Sequence, residues 1–220
     1  MKKKLISLMV CAISSAIFSS ASIAQEYMFT YSKLYSQLKN NAKEGHEDVK
    51  VGFFFVNADD KSLCDIEKVW MEKQGKYEEL SPVNGKEVVV PLDSNLKSAN
   101  PLVFVRTPMD MRCDFSMVVM TKQPLSDKVY YQDIEKLLPQ MQSMLEDLGG
   151  MFASWFTPDV EGLTLEFPNN TSGSISFSNG LAVDIVEHKA RIRLADLKPG
   201  EYIELPAMTS RVLPWLPAAK

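Results

Sequence analysis

The chain of 220 residues contains only three cysteines and two histidines, so few side chains are available to bind a transition metal. His46 and His188 stand far apart, and no cysteine lies at zinc-ligand spacing from another cysteine or a histidine. A Cys-x-x-Cys pair, typical of redox-active thiols, is also missing. These absences predict that the protein has no metal site and no cofactor.

Motifs of common catalytic sites are missing as well. The chain has no Gly-x-Ser-x-Gly segment, and no histidine stands beside a plausible nucleophilic serine. No glycine-rich loop leads into a helix, so the usual phosphate cradle is excluded. Glu161, Glu166 and Asp184 lie on predicted strands and leave one alternative open, a pair of catalytic carboxylates. The sequence itself predicts no catalytic residue.

A hydrophobic run long enough to cross a membrane is missing too, because the apolar stretch 5–18 is short and rich in serine. It follows three lysines and ends in small residues at Ser22 and Ala24, the pattern of a cleavable secretory signal peptide. We therefore predict a signal peptide over 1–24, cleavage after Ala24, export from the reducing cytosol and no transmembrane span. Cys11 leaves a lipoprotein signal as an alternative, although Val10 before it is not a small residue.

Positive charge is in the minority. The chain has 24 lysines and arginines against 28 aspartates and glutamates, a net charge of −4, which becomes −7 without the three lysines of the leader. This balance argues against nucleic acid and against an anionic membrane face as partners.

Cys64 and Cys113 are the cysteines that follow the leader, and each is followed by an aspartate and a strand-like run. In an oxidising compartment two cysteines most simply form one disulfide, and two neighbouring strands with core-facing cysteines would bring the sulfurs together. The charges of Asp65 and Asp114 disfavour a thiolate and so argue against a redox role. Two unpaired buried thiols remain the other alternative.

Alternating and continuous apolar runs predict a fold that is mainly β with a helical insert, of the α+β class. Roughly six strands and a short helix from Ser32 fill an N-terminal β-rich module over 25–124, in which VKVGFFFV is a buried strand and Asn84-Gly85 turns a hairpin. Further strands such as GLTLEF and ARIRLADL fill a C-terminal module over 157–220. The expected architecture is two small antiparallel β-sandwich-like modules.

The segment 125–156 is predicted to join these modules as a long, kinked amphipathic helix. Apolar residues recur at steps of three and four from Tyr131 to Leu148, which is the period of one helix face. Pro139 should kink the helix or restart it, and Gly149-Gly150 should end it.

Two groups of residues are candidates for binding a ligand or partner. Lys189, Arg191 and Arg193 would share one face of a strand, where they could receive a carboxylate, a phosphate or an acidic strand. The alternative is an ordinary strand facing water. The second group could dock a partner as an exposed apolar patch or could pack the helix onto the sheets; it consists of Met151, Phe152, Trp155 and Phe156.

Three parts of the chain together resemble a family of uncharacterised exported bacterial proteins known only as a domain of unknown function. These parts are the segment EYMFTYSKLYSQLKNNAKEGHEDVKVGFFFVN, the two cysteine segments, and the ending DLKPGEYIELPAMTSRVLPWLP. The resemblance implies an envelope protein of Gram-negative type, hence a periplasmic one, and it supplies no catalytic residues.

The function expected from the sequence is that of a non-catalytic periplasmic protein that binds another envelope protein or a small anionic ligand. One alternative is an envelope glycan hydrolase that uses paired carboxylates. The other is a structural component of an envelope assembly, in which the apolar stripe of the helix packs on another chain.

Overall fold

The computed structural model describes residues 25–150 and 157–217. Within these ranges the chain is mainly β, with four small antiparallel sheets and three α-helices. The predicted fold class, mainly β with helices, is therefore confirmed. The strands are β1 Gln25–Thr30, β2 Val49–Asn57, β3 Lys68–Lys73, β4 Lys76–Leu80, β5 Leu102–Thr107, β6 Cys113–Thr121, β7 Lys128–Tyr130, β8 Gly162–Glu166, β9 Ser174–Phe177, β10 Ala182–Asp184, β11 Lys189–Arg193, β12 Tyr202–Glu204 and β13 Arg211–Trp215. The α-helices are α1 Tyr31–Leu38, α2 Ser94–Ala99 and α3 Tyr131–Gly149, and short 3-10 turns occupy Lys39–Ala42 and Leu194–Asp196.

The N-terminal strands form a sheet in the order β1-β5-β3-β4 and a ribbon of β2 with β6. Alternate side chains of both contribute to one hydrophobic cluster, because residues two apart on a strand share a face. Aromatic contacts join the sheet to the ribbon: the rings of Tyr27 and Phe55 are 4.5 Å apart, and those of Phe29 and Phe115 are 4.7 Å apart. The buried character predicted for β2 is confirmed.

The structure contains the predicted disulfide between Cys64 and Cys113, whose Cα atoms are 6.4 Å apart and whose side chains are buried. Cys113 opens β6 as predicted, but Cys64 does not lie in a strand, since β3 begins only at Lys68. The backbone N–H of Cys64 instead donates to the carbonyl of Phe55 on β2. With the bond from Asn57 N–H to the carbonyl of Ser62, this contact holds the segment beside β2 and brings Cys64 to its partner.

The tight turn at Asn84-Gly85 is present, with both residues in the left-handed region, but it joins only a one-residue bridge between Val83 and Glu87. The true hairpin of this region pairs β3 with β4 around Gln74-Gly75. The prediction of a full hairpin around Asn84-Gly85 was wrong because a turn signal does not show how far the flanking chains stay paired.

Helix α3 follows the predicted stripe, and its buried side chains include Ile134, Leu138 and Met141. It begins later than the predicted segment, because β7 precedes it, and it runs through Pro139 as one helix rather than restarting. Pro139 lies on the exposed side of α3, where water can bond the carbonyl that proline leaves unpaired. The buried stripe packs within this chain, so it gives no support to a helix that packs on another chain.

The C-terminal strands form two sheets, in the orders β10-β9-β12-β7 and β11-β8-β13. Their inner faces pack with α3 in a second hydrophobic cluster, to which β2 and β6 add Val49 and Val119. Leu148 near the end of α3 contacts both clusters. Strand β13, which contains Pro214, lies at the edge of its sheet, where the missing backbone N–H of a proline is tolerated. The division into two modules joined by a helix stays a prediction.

Asp48, just before β2, both accepts hydrogen bonds from α3 and donates one to it. The Gln140 amide nitrogen donates to the Asp48 carboxylate at 2.7 Å, the Asp48 backbone N–H donates to the Gln140 side-chain oxygen at 2.8 Å, and Lys136 Nζ lies 2.7 Å from the carboxylate. The Lys136 ammonium, followed by the Gln140 amide, lowers the pKa of Asp48. Because the folded pKa lies below the unfolded one, this contact stabilises the fold above about pH 4 and loses its effect as the pH falls further.

We expect Asp48→Asn to lower the free energy of unfolding by about 0.5 kcal/mol at pH 7, a small effect because the carboxylate is partly exposed and screened by solvent. The difference from the unmodified protein should be smaller at pH 3 than at pH 7, because the contact is lost as the pH falls through the lowered folded pKa of Asp48. Urea denaturation at the two pH values measures this. Asp59→Asn, at an exposed carboxylate without an ion pair among the described residues, is the control and should be neutral. An equal loss at pH 3 and pH 7 would contradict the electrostatic explanation.

Candidate functional site

A cleft of about 360 Å³ lies where the β2 and β6 ribbon meets the sheet of β8, β11 and β13. Phe54 and Met120 of the ribbon line one side, and five further segments, which include the ends of β8, β11 and β13, form the remaining border. The other lining residues are Lys61, Ser62, Leu63, Val83, Asn84, Lys86, Glu87, Glu166, Phe167, Pro168, Asn169, Glu187, His188, Lys189, Ser210 and Arg211.

The loops that border the cleft hold unusual backbone conformations. Seven non-glycine residues of the described chain have positive φ, and four of them line the cleft: Lys61, Asn84, Glu187 and His188. Such conformations are unfavourable for residues with a Cβ, by roughly 1 kcal/mol or more each, and they concentrate at functional sites. Glu187 and His188 stand in succession at the tight turn that leads into β11. The border of this cleft is therefore where the described chain tolerates most of its backbone strain.

The first of two buried carboxylates in the cleft belongs to Glu166 at the end of β8. Register places it between Lys189 of β11 and Arg211 of β13, because residues directly opposite in an antiparallel sheet share one face. Arg211 Nη2 and Nε donate to Glu166 Oε2 at 2.5 and 2.6 Å, and Lys189 Nζ lies 3.1 Å from Oε1. The Arg211 guanidinium also lies 4.8 Å from the Phe54 ring centroid, which ties the sheet to the ribbon.

The second buried carboxylate belongs to Glu87, after the Asn84-Gly85 turn, and is held by Lys50 of β2 at 2.7 and 2.9 Å. Gly52 makes room for it. A Cβ at Gly52 would come within 2.7 Å of the Phe54 ring and 3.2 Å of both Glu87 Oε1 and Met120 Sδ. Two carboxylates, each paired with a cation from a neighbouring strand, thus line the same cleft.

The structure places the three predicted basic residues on the exposed face of β11, while Ala190 and Ile192 between them are buried. Lys189 reaches the cleft, Arg193 is paired with Asp196 at 2.8 Å, and Arg191 has no carboxylate at ion-pair distance among the described residues. Their binding role stays a prediction. The predicted apolar patch, Met151, Phe152, Trp155 and Phe156, lies outside the described residues.

One histidine contacts a serine that is distant in the sequence. Buried His46 places Nε2 3.2 Å from Ser143 Oγ on α3 and 3.6 Å from Asp147 Oδ2, and its Nδ1 is 2.8 Å from the carbonyl of Asn40. The pair is 97 positions apart, so no sequence spacing could announce it. It lies outside the cleft, and its contacts join the 3-10 turn after α1 to α3.

Residues 25–150 and 157–217 contain neither a metal-binding cluster nor a membrane-spanning helix. No three His, Cys, Asp or Glu side chains come together there in a way that could hold a metal ion. No helix in these ranges combines the length and apolar character that a membrane span requires.

The sequence analysis did not identify Glu87 and Arg211 as lining residues of the cleft, nor Gly52 as the residue that leaves space for Glu87. A glycine inside the apolar run VKVGFFFV was the one available signal, because a glycine within a strand often marks a close approach of other groups.

Comparison with known proteins places the chain in one family. A family model described as a protein of unknown function (DUF2987) matches residues 23–167, which includes both cysteines, Glu87 and Glu166 and ends before β11 and β13. No curated protein and no solved structure matches the chain. Because the matched residues make up well over half of the sequence, the chain belongs to the DUF2987 family of proteins of unknown function, as the resemblance of its segments predicted.

Proposed function

We propose that this protein is an exported, non-catalytic binding protein of the cell envelope, and that its cleft takes a small anionic ligand. The observation that carries the proposal is the cleft itself, whose strained border loops surround a mixed apolar and charged interior, the usual composition of a ligand site. The signal peptide over 1–24 and the disulfide support a periplasmic location.

Charge at the border of the cleft favours an anion. The cleft is lined by three glutamates and by four cationic residues, Lys61, Lys86, Lys189 and Arg211. Two of the glutamates are neutralised: Glu166 by Arg211, and Glu87 by Lys50, which lies outside the lining. Lys61 bonds only a backbone carbonyl, at 2.7 Å, so its charge is not balanced by a carboxylate among the described residues. Lys86 is paired with Asp65 at 2.7 Å, so it can offer a ligand an N–H donor but no unbalanced charge. A carboxylate or phosphate of a ligand would meet Lys61 and Lys86 at the mouth of the cleft.

The same proposal includes the finer architecture, two β-rich modules over 25–124 and 157–220 connected through the segment 125–156. The two hydrophobic clusters support it, since one draws on the N-terminal strands and the other mainly on α3 and the C-terminal strands. The cleft would then lie where the modules meet.

Isothermal titration with inorganic phosphate, citrate and glucuronate tests the anionic ligand. We expect at least one of these probes to bind, and Lys61→Gln/Lys86→Gln to weaken it about tenfold, since two charge-assisted contacts are lost. The control Lys33→Gln/Lys39→Gln removes the same charge from exposed positions on and just after α1 and should change affinity less than about twofold. Equal weakening by both pairs, or no binding of any probe, would contradict the proposal.

A second candidate function, hydrolysis of an envelope glycan, is favoured by one observation: Glu87 and Glu166 are buried carboxylates in the same cleft. Against it, Lys50 and Arg211 hold both carboxylates in ion pairs, whereas a general acid must carry a proton. Release of sugar fragments from glycan incubated with the protein decides between the two. Release that Glu87→Gln or Glu166→Gln abolishes would replace the binding proposal.

A further inference from the structure

The exposed face of the sheet β11-β8-β13 carries a trough between two different walls. Register gives three rows across it: Lys189, Glu166 and Arg211; then Arg191, Thr164 and Leu213; then Arg193, Gly162 and Trp215. In the second and third rows the middle strand contributes only a threonine and a glycine, while the outer strands contribute long side chains. The small residues of β8 therefore form a floor, with arginines on one side and Leu213 and Trp215 on the other.

Gly162, at the outer end of the floor, has no space for a side chain. A Cβ on Gly162 would come within 2.0 Å of the Ile192 carbonyl oxygen, so no side chain can fill this position. The walls are accessible, because Arg191 and Arg193 are exposed and Leu213 and Trp215 are half-buried. The opposite face of the same strands lies in the core, with Leu163, Leu165 and Ile192 fully buried. The trough is thus an outer surface with one cationic wall and one apolar wall.

Charge on this face is positive although the whole chain carries −4. In the first row two cations flank one carboxylate, and in the second Arg191 has no carboxylate at ion-pair distance among the described residues. Arg193 is balanced by Asp196. An acidic molecule is repelled by the chain as a whole, so any attraction to it must come from a local surface of this kind.

We propose that this trough binds an extended peptide in which acidic and apolar residues alternate. Arg191 and Arg193 are two apart on one strand, which separates their Cα atoms by about 6.8 Å, and alternate residues of an extended peptide repeat at the same distance. Successive side chains of such a peptide point to opposite sides. Acidic side chains would meet the arginine wall, apolar ones would meet Leu213 and Trp215, and the chain end near Lys189 would reach the mouth of the cleft.

Fluorescence anisotropy with a labelled peptide of sequence ELELELE tests the trough on the full protein. We expect saturable binding that Arg191→Glu weakens about tenfold or more, because charge reversal turns an attraction into a repulsion. Lys33→Glu makes the same charge change at an exposed position on α1 and should weaken binding less than about twofold. A peptide EEEELLL of the same composition, and QLQLQLQ without charge, should bind much more weakly.

Four outcomes would overturn the proposal: no saturable binding, equal effects of the two charge reversals, equal binding of the alternating and block peptides, or a dimer of the protein alone that Arg191→Glu dissociates in light scattering. The last would assign the trough to a second copy of this chain. The anion test in the cleft uses Lys61 and Lys86, which lie outside the trough, so either proposal can fail while the other stands.

Discussion

Replacing both cysteines, Cys64→Ala/Cys113→Ala, is expected to lower the free energy of unfolding by about 4 kcal/mol. The bond closes a loop with a sequence separation of 49, and the chain-entropy model assigns roughly this value to a loop of that size. Domains of this kind are stable by only about 5–15 kcal/mol, so the variant would lose a large part of its margin. Alanine is the suitable replacement because both sulfurs are buried, and a serine would add an unpaired hydroxyl.

Urea denaturation with and without dithiothreitol measures the effect of the bond. The unmodified protein should lose about as much stability in the reductant as the double variant loses without it. The double variant should not respond to the reductant, which is the control. A loss below about 1 kcal/mol would show that the loop is already restricted by other contacts in the unfolded chain. The slope of stability against urea should rise as well, since the unfolded state expands without the bond.

Gly162→Ala should destabilise the protein by at least about 3 kcal/mol or prevent it from folding. The added methyl group would lie 2.0 Å from the carbonyl oxygen of Ile192 and 2.9 Å from the Cα of Arg193. Both atoms belong to the backbone of β11, so no side-chain rotation can relieve the contact. The strands would have to separate, and with them the pairing that holds β11 against β8.

Gly45→Ala is the matched control for Gly162→Ala. Nothing lies within 4 Å of the position a Cβ would take at Gly45, but its φ is positive, so the substitution should lose only about 1 kcal/mol through backbone strain. Thermal unfolding of both variants separates a contact between strands from the conformational preference of glycine. Equal losses at the two positions would show that the close approach of β8 and β11 is relaxed easily.

Sequence patterns were sufficient to predict a helix or strand whose structure depends mainly on its own residues. The apolar stripe from Tyr131 to Leu148 predicted α3, because apolar residues recur at the helical period over many residues and most of these residues are buried. Alternation gave the exposed face of Lys189, Arg191 and Arg193, since side chains of a strand alternate whatever the strand pairs with. The disulfide was predictable because only two cysteines follow the predicted signal peptide.

The cleft was beyond sequence reasoning because it is assembled from distant pieces. Glu87 is matched by Lys50, 37 positions away, and Glu166 by Arg211, 45 positions away. The sequence of an acidic chain allows many pairings of a carboxylate with a distant lysine or arginine. Only the register of the sheets determines which of these ion pairs form. The contact of His46 with Ser143 was missed for the same reason. The strand assigned to Cys64 was wrong because its apolar residues are buried without continuous pairing.

Pairing of β7 with β12 has a consequence for the order in which the molecule can assemble during its synthesis. The strand directly before α3 cannot pair until Tyr202–Glu204 have been synthesised, and β8 lacks its partner β13 until Arg211–Trp215 have been synthesised. The first hydrophobic cluster, by contrast, is complete in its main strands once Thr121 has appeared. The main strands of the first cluster are therefore synthesised early, whereas the later strands keep open edges for longer, and helper proteins that shield such edges would act on the later strands.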